Sequence, residues 1–130
     1  MMEYIRTMPF SDPIYELKSN FFRVLGHPAR IKILELLRDG EMSVGELQAA
    51  LTLDSSGTSQ HLAALKRHGL LTSRRERTSV YYRVHDPRMF QLLEVAREIL
   101  TSNLADATSL LNELQETAAP TPTRPRSRRR

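Results

Sequence analysis

Residues 43–84 read SVGELQAALTLDSSGTSQHLAALKRHGLLTSRRERTSVYYRV. Ser43-Val44-Gly45-Glu46 has the S-x-x-E form in which a Ser and a Glu side chain satisfy each other's amide donors at a helix start. A short helix carrying Leu47, Ala50 and Leu51 is expected to follow, ending in a polar break at residues 52–55. A further helix is expected over about 56–68, with Gly69 as its left-handed cap. After Leu70-Leu71 the period falls to two: Val80, Tyr82 and Val84 alternate with Ser79, Tyr81 and Arg83, which predicts a strand with one buried face. Residues 71–75 are expected to pair with it, leaving Arg75-Glu76-Arg77-Thr78 as the tip of a hairpin.

Outward from this stretch the chain is helical on both sides. Asp12-Pro13 pairs a capping side chain with Pro at the first helical position. The helix it opens runs to about residue 25, with Ile14, Leu17, Phe21, Val24 and Leu25 on one side and Gly26 as its stop. His27-Pro28 opens a second helix, ended by Asp39-Gly40, whose Ile31, Ile33, Leu34, Leu36 and Leu37 make it apolar on most sides and therefore central to the core. Asp86-Pro87 repeats the Asp-Pro start, and a long last helix is expected over about 88–115. Along it Met89, Leu93, Ala96, Leu100, Asn103, Ala107, Leu110 and Leu114 are spaced alternately four and three apart, as in a coiled-coil seam. Leu92, Ile99, Leu104 and Leu111 widen that stripe beyond what so small a chain can cover alone, so a second copy is expected against it. Asn103 within the seam reads as a tolerated polar residue or as a register-fixing pair across a dimer axis.

The expected fold is mainly α (α+β): a winged helix-turn-helix of about five helices plus a two-stranded hairpin wing, homodimeric. Residues 1–11 form an N-terminal arm, 12–117 the domain with its dimerising first and last helices, and 118–130 (AAPTPTRPRSRRR) a disordered Arg-rich tail. The tail suits a flexible arm adding non-specific affinity for nucleic acid, or a solubilising end.

Charge is segregated along the chain. The 130 residues carry a formal +4, but residues 55–88 hold seven Lys/Arg against two acids, net +5, whereas 89–117 hold one Arg against five acids, net −4. Positive charge gathered on one surface suits a polyanion, because binding energy comes from displacing condensed counterions. There is no cysteine, so disulfides and thiolate metal sites are excluded. No run approaches a membrane span and no secretory signal is visible, which fits a cytoplasmic protein. No nucleophile–base pair or Gly-rich phosphate loop is apparent, so no enzyme and no cofactor is expected.

The fourth helix carries the functional expectation. Thr58, Leu62 and Leu65 share one side and should face the core. At 100° per residue the opposite side holds Ser56, Gly57, Gln60, Ala63, Ala64 and Arg67: small and polar, with no acid. Such a face sinks into a major groove about 12 Å wide, and a glutamine there can pair bidentately with adenine. The serines and the helix N-terminus suit phosphate oxygens, with Ser59 and His61 at the flanks. Arg74, Arg75 and Arg77 cluster toward the hairpin tip, where arginines enter a minor groove or grip phosphates, and Tyr81 is expected to point outward beside them.

The stretch 22–86 also resembles the ArsR/SmtB family of bacterial repressors, through FRVLGHPARIKILELL, GEMSVGELQAAL, SSGTSQHLAALKRHGLL and RRERTSVYYRV. The resemblance implies a homodimer built on the first and last helices, a palindromic double-stranded DNA operator, and repression that an effector relieves. It does not carry over the family's metal sites. The segment corresponding to a soft-metal Cys-x-Cys motif is Ser43-Val44-Gly45-Glu46, and residues 89–115 contain no His. Whether a small molecule, a partner protein or nothing acts as effector is left open, as is activation rather than repression. Two other classes compete: a MarR-type regulator, whose flanking helices are generally longer, and a winged-helix protein-interaction module, which would need an apolar outward face on the fourth helix.

Overall fold

A computed structural model describes residues 12–52 and 55–118. The expected arm, the tail beyond residue 118 and positions 53–54 of the polar break lie outside them. Element order is α1 (Pro13–Leu25), α2 (Pro28–Leu36), a 3-10 turn (Leu37–Asp39), β1 (Met42–Ser43), α3 (Val44–Leu51), α4 (Ser55–Arg67), β2 (Leu71–Glu76), β3 (Ser79–Val84) and α5 (Arg88–Ala118). The chain divides after Gln91 into two units, the first holding every element up to the start of α5.

Local chemistry sets the helix boundaries. Asp12 accepts from the Ile14 amide at 3.1 Å and starts α1 ahead of Pro13. At α2 the cap is an imidazole: His27 Nδ1 accepts from the Ala29 amide at 3.2 Å. The capping box at α3 is complete, with the Glu46 amide donating to Ser43 Oγ at 3.1 Å and the Ser43 amide to Glu46 Oε1 at 2.8 Å. Thr52 closes α3 in the left-handed region (φ 55°), and Gly69 (φ 78°) follows α4 as expected. Before α5, Asp86 accepts from the backbone amide and guanidinium of Arg88, contacts that hold its carboxyl down to about 2.

The core of the first unit is aliphatic. Ile33, Leu34, Leu47, Leu62, Leu65 and Leu71 are fully buried, and Leu25, Leu37 and Val84 nearly so. Emptying one of the fully buried leucine sites to Ala costs about 2–5 kcal/mol. Thus α2 is central, as its all-round apolar pattern predicts. In α1, by contrast, only Val24 and Leu25 are buried, while Leu17 is 63% and Phe22 57% exposed.

Two corrections concern the sheet. It has three antiparallel strands in the order β1-β3-β2, because Met42 and Ser43 pair with Tyr82 and Tyr81. A two-residue strand is too short to show a period. The β2–β3 ladder runs from Leu71↔Val84 to Glu76↔Ser79, so the tip is only Arg77-Thr78 rather than four residues. Along β3 only Val84 is buried; Val80 and Tyr82 are half-buried, much like Ser79 and Tyr81.

In the second unit α5 continues as helix to Ala118. Met89, still in the first unit, and Leu93 are buried in the single chain and leave little surface for a partner. From there Val95, Ile99, Leu100, Leu104, Leu110, Leu111 and Leu114 are 49–68% exposed, and Ala96, Asn103 and Ala107 are also exposed. No helix among the described residues is long and apolar enough to cross a membrane.

Candidate nucleic-acid interface

Helix α4 is docked by Thr58, Leu62 and Leu65, each at most 1% exposed. With that side buried, helical geometry turns Ser56, Ser59, Gln60, Ala63 and Arg67 outward, and all five are exposed. The outward face therefore holds two hydroxyls, one amide, one methyl and one guanidinium, with no acid and no large apolar group.

The face is narrower than the helical wheel suggests. Ala64 is 4% exposed, and Gly57 and His61 are only partly exposed. These three lie in one row, four and three residues apart, on the flank turned toward α2, where Arg30 Nε donates to His61 Nδ1 at 3.1 Å. His61 is thus engaged inward, and Ala64 belongs to the core. Burial, then the neighbouring His27 ring and the Arg30 guanidinium, hold the His61 ring below the ordinary imidazole range. At the far end of α4, Lys66 Nζ donates to Ser73 Oγ at 2.8 Å and ties the helix to β2.

The hairpin arginines do not form one group. Arg74 sits inside β2, opposite Tyr81, with its guanidinium carbon 4.7 Å from the Tyr81 ring centroid. Its Nε donates to both Glu41 carboxylate oxygens at 3.0 Å, Nη2 also reaches Glu41, and Nη1 donates to Glu76 at 2.8 Å. Glu41 is held below the usual carboxylate range chiefly by this hydrogen bonding, and Arg74 is pushed above the usual guanidinium value. Arg74 and Tyr81 therefore clamp the wing to the loop before β1. Glu41, 33 residues away in sequence, is the participant that local reading missed.

Arg75 and Arg77 are exposed, and among the described residues neither forms an ion pair with an acid. Arg77 adopts φ 59° at the first position of the tip, a conformation that costs a side-chain-bearing residue energy that glycine avoids. Among the described residues no three His, Asp or Glu side chains converge as a metal site. The two histidines at 61 and 68 differ in their surroundings: His61 faces α2, whereas His68 Nδ1 contacts the Ala64 carbonyl at 2.9 Å.

Known proteins share this fold. The profile described as "Bacterial regulatory protein, arsR family" matches residues 27–73. The HTH-type transcriptional regulator Rv0081 of Mycobacterium tuberculosis is 43% identical over 106 residues, covering 81% of this chain and 93% of that protein. Its crystal structure superposes with a TM-score of 0.71 at 44% identity, over 75% of this chain and 99% of that one. The transcriptional activator HlyU of Vibrio cholerae is 32% identical over 104 residues, covering 75% and 94% of the two chains. A solution structure titled as the homodimeric winged helix-turn-helix DNA-binding domain Mb0332 of Mycobacterium bovis matches with TM-score 0.63 at 29% identity, over 75% and 95%.

Proposed function

The chain belongs to the arsR family of bacterial regulatory proteins and is a DNA-binding transcriptional regulator of winged helix-turn-helix type; from that premise we propose how it reads its operator. Two copies, joined through α5 and α1, present two α4 helices to successive major grooves of a palindromic site, about 34 Å apart. Gln60 reads an adenine edge, Ala63 permits close approach, and Ser56, Ser59 and Arg67 hold phosphates. Arg75 and Arg77 grip the backbone or enter the flanking minor groove. Gly57 and His61 lie at the edge of the contact, and Arg74 and Tyr81 serve the shape of the wing. Where such a site overlaps a promoter, its occupancy blocks transcription.

The observation that carries this reading is the slim, acid-free outward face of α4, set in a stretch of net charge +5. An interaction module docking on a protein would need an apolar face there. The exposed leucines of α5 support the dimer, since a lone helix in water does not keep so many uncovered. With no cysteine in the chain, regulation through thiolate ligands or disulfides is excluded, so an effector would act by other contacts. The test is selection of bound fragments from genomic DNA, followed by binding of the enriched duplex across a salt series. A two-fold symmetric sequence preferred over random duplex is expected. Equal affinity for both would refute sequence reading by α4.

A further inference from the structure

Helices α1, α2 and α4 are linked beside a pair of imidazole rings off the outward face. His27 Nδ1 accepts from the Ala29 amide, and His61 Nδ1 accepts from Arg30 Nε. Arg30 Nη1 also donates to the Val24 carbonyl at 3.2 Å, so one guanidinium links α2 to both α1 and α4. The two ring centroids are 4.2 Å apart with a tilt of 55°. An amide N–H and a guanidinium are donors only, so both Nδ1 atoms must carry a lone pair, and each neutral ring has its proton on Nε2. An imidazolium donates from both nitrogens. Charging either ring therefore sets a donor against a donor. His68 provides the contrast: its Nδ1 faces a carbonyl, must donate, and keeps that bond when the ring is charged.

We infer that Arg30 positions the recognition helix through His61, and that the His27–His61 pair makes this positioning conditional on neutral rings, so that acidification loosens α4 from α2 and lowers discrimination between DNA sequences. The inference rests on α4 being the recognition helix. The two titratable or charged groups that bear on His61 are Arg30 of α2 and the His27 ring that caps that helix, and each opposes a charge on His61. Among the described residues, four charged groups of the surrounding elements are held by partners other than His61. Glu46 of α3 caps its own helix, Arg74 of β2 is held by Glu41 and Glu76, Lys66 of α4 binds Ser73, and Arg23 of α1 binds Asn20. The sign follows from linkage. A ring whose folded-state proton affinity is lowered contributes fully above the ordinary imidazole value of about 6.5 and loses that contribution as pH falls from there toward the lowered value.

The test combines ring 15N NMR of the full chain with binding to the selection-enriched duplex and to a random duplex. At pH 7.5 both rings should carry Nε2–H, His61 should titrate below the ordinary value, and Arg30→Met should raise its midpoint. Between pH 7.5 and 5.5 the wild-type ratio of specific to random affinity should fall, by up to about tenfold per unit of depression. The double variant His27→Asn with His61→Asn keeps a capping oxygen and an acceptor near each Nδ1 position but no titrating ring, and its ratio should stay flat. A proton on Nδ1 of either ring at pH 7.5, a His61 midpoint unmoved by Arg30→Met, or an equal pH slope in the double variant overturns the inference. The wild-type titration stands whether or not that variant folds. Absence of any sequence preference at both pH values would instead refute the operator reading, and the NMR midpoints would still decide whether the lock exists.

Discussion

Replacing Arg77 by glycine separates two effects that ordinarily move together. The residue holds φ 59° in a two-residue tip while its side chain is exposed and forms no ion pair among the described residues. The left-handed conformation costs a non-glycine residue about 1–2 kcal/mol, and glycine gives back about 0.5–1 kcal/mol of that through its greater freedom in the unfolded chain. Arg77→Gly should therefore stabilise each copy by about 0.5–1 kcal/mol, or raise the melting temperature by about 2–5 °C. The same change removes one cation per copy from the proposed phosphate contact. Each lost contact lowers the slope of log affinity against log salt by about 0.9, close to 2 for a dimer. Between 50 and 200 mM salt, one such contact accounts for about a threefold change in affinity.

Arg77→Ala is the control, because it loses the charge and keeps the strained backbone. Glycine and alanine should share the reduced salt slope, and only glycine should gain stability. Urea unfolding followed by circular dichroism measures the first quantity, and fluorescence anisotropy across a salt series the second. A glycine variant no more stable than alanine would refute the strain argument. An unchanged slope in both would refute the phosphate contact.

Other substitutions probe the remaining parts of the site. Gln60→Ala should cost about 1–3 kcal/mol on the enriched duplex and relax one base position, with little change on random DNA; equal losses on both would remove Gln60 from base reading. Arg74→Gln should leave the salt slope at its wild-type value, since that guanidinium is already held by Glu41 and Glu76, and a fall as large as that of Arg77→Ala would make it a phosphate ligand instead. Thr72 Oγ1 is buried without a hydrogen-bond partner, so Thr72→Val should raise unfolding stability by about 1 kcal/mol without altering DNA affinity; a loss of stability would mean that the hydroxyl is paired.

The parts of the fold legible in the sequence are those written in short-range signals. Asp12-Pro13, the Ser43–Glu46 box, Gly69 and the change of period after Leu71 each act within a few residues, and helices α1 to α5 begin within about a residue of where those signals place them. What was hidden depends on partners far away in the chain. Strand β1 exists because Met42 and Ser43 meet β3, some 40 residues later, and two residues have no period of their own. The wing tip is two residues rather than four because Arg75 and Glu76 pair with Val80 and Ser79, a register that local patterning does not fix.

The same distinction separates the two kinds of cation in the site. A helical wheel assigns Ala64 and His61 by angle alone, as if the buried arc were centred on Leu65 and symmetric about it. Arg30, 31 residues upstream, draws that arc toward α2 and takes one flank out of the outward face. Glu41, 33 residues from Arg74, likewise neutralises a guanidinium that composition counts as free for DNA. Both pairings convert residues of DNA-binding type into supports. They leave Gln60 and Arg67 on the helix, and Arg75 and Arg77 on the wing, as exposed donors on mutually braced elements. A recognition surface gains selectivity from such division: a clamped cation contributes no counterion release and so adds no affinity for random sequence, while it restricts where the unclamped ones can reach.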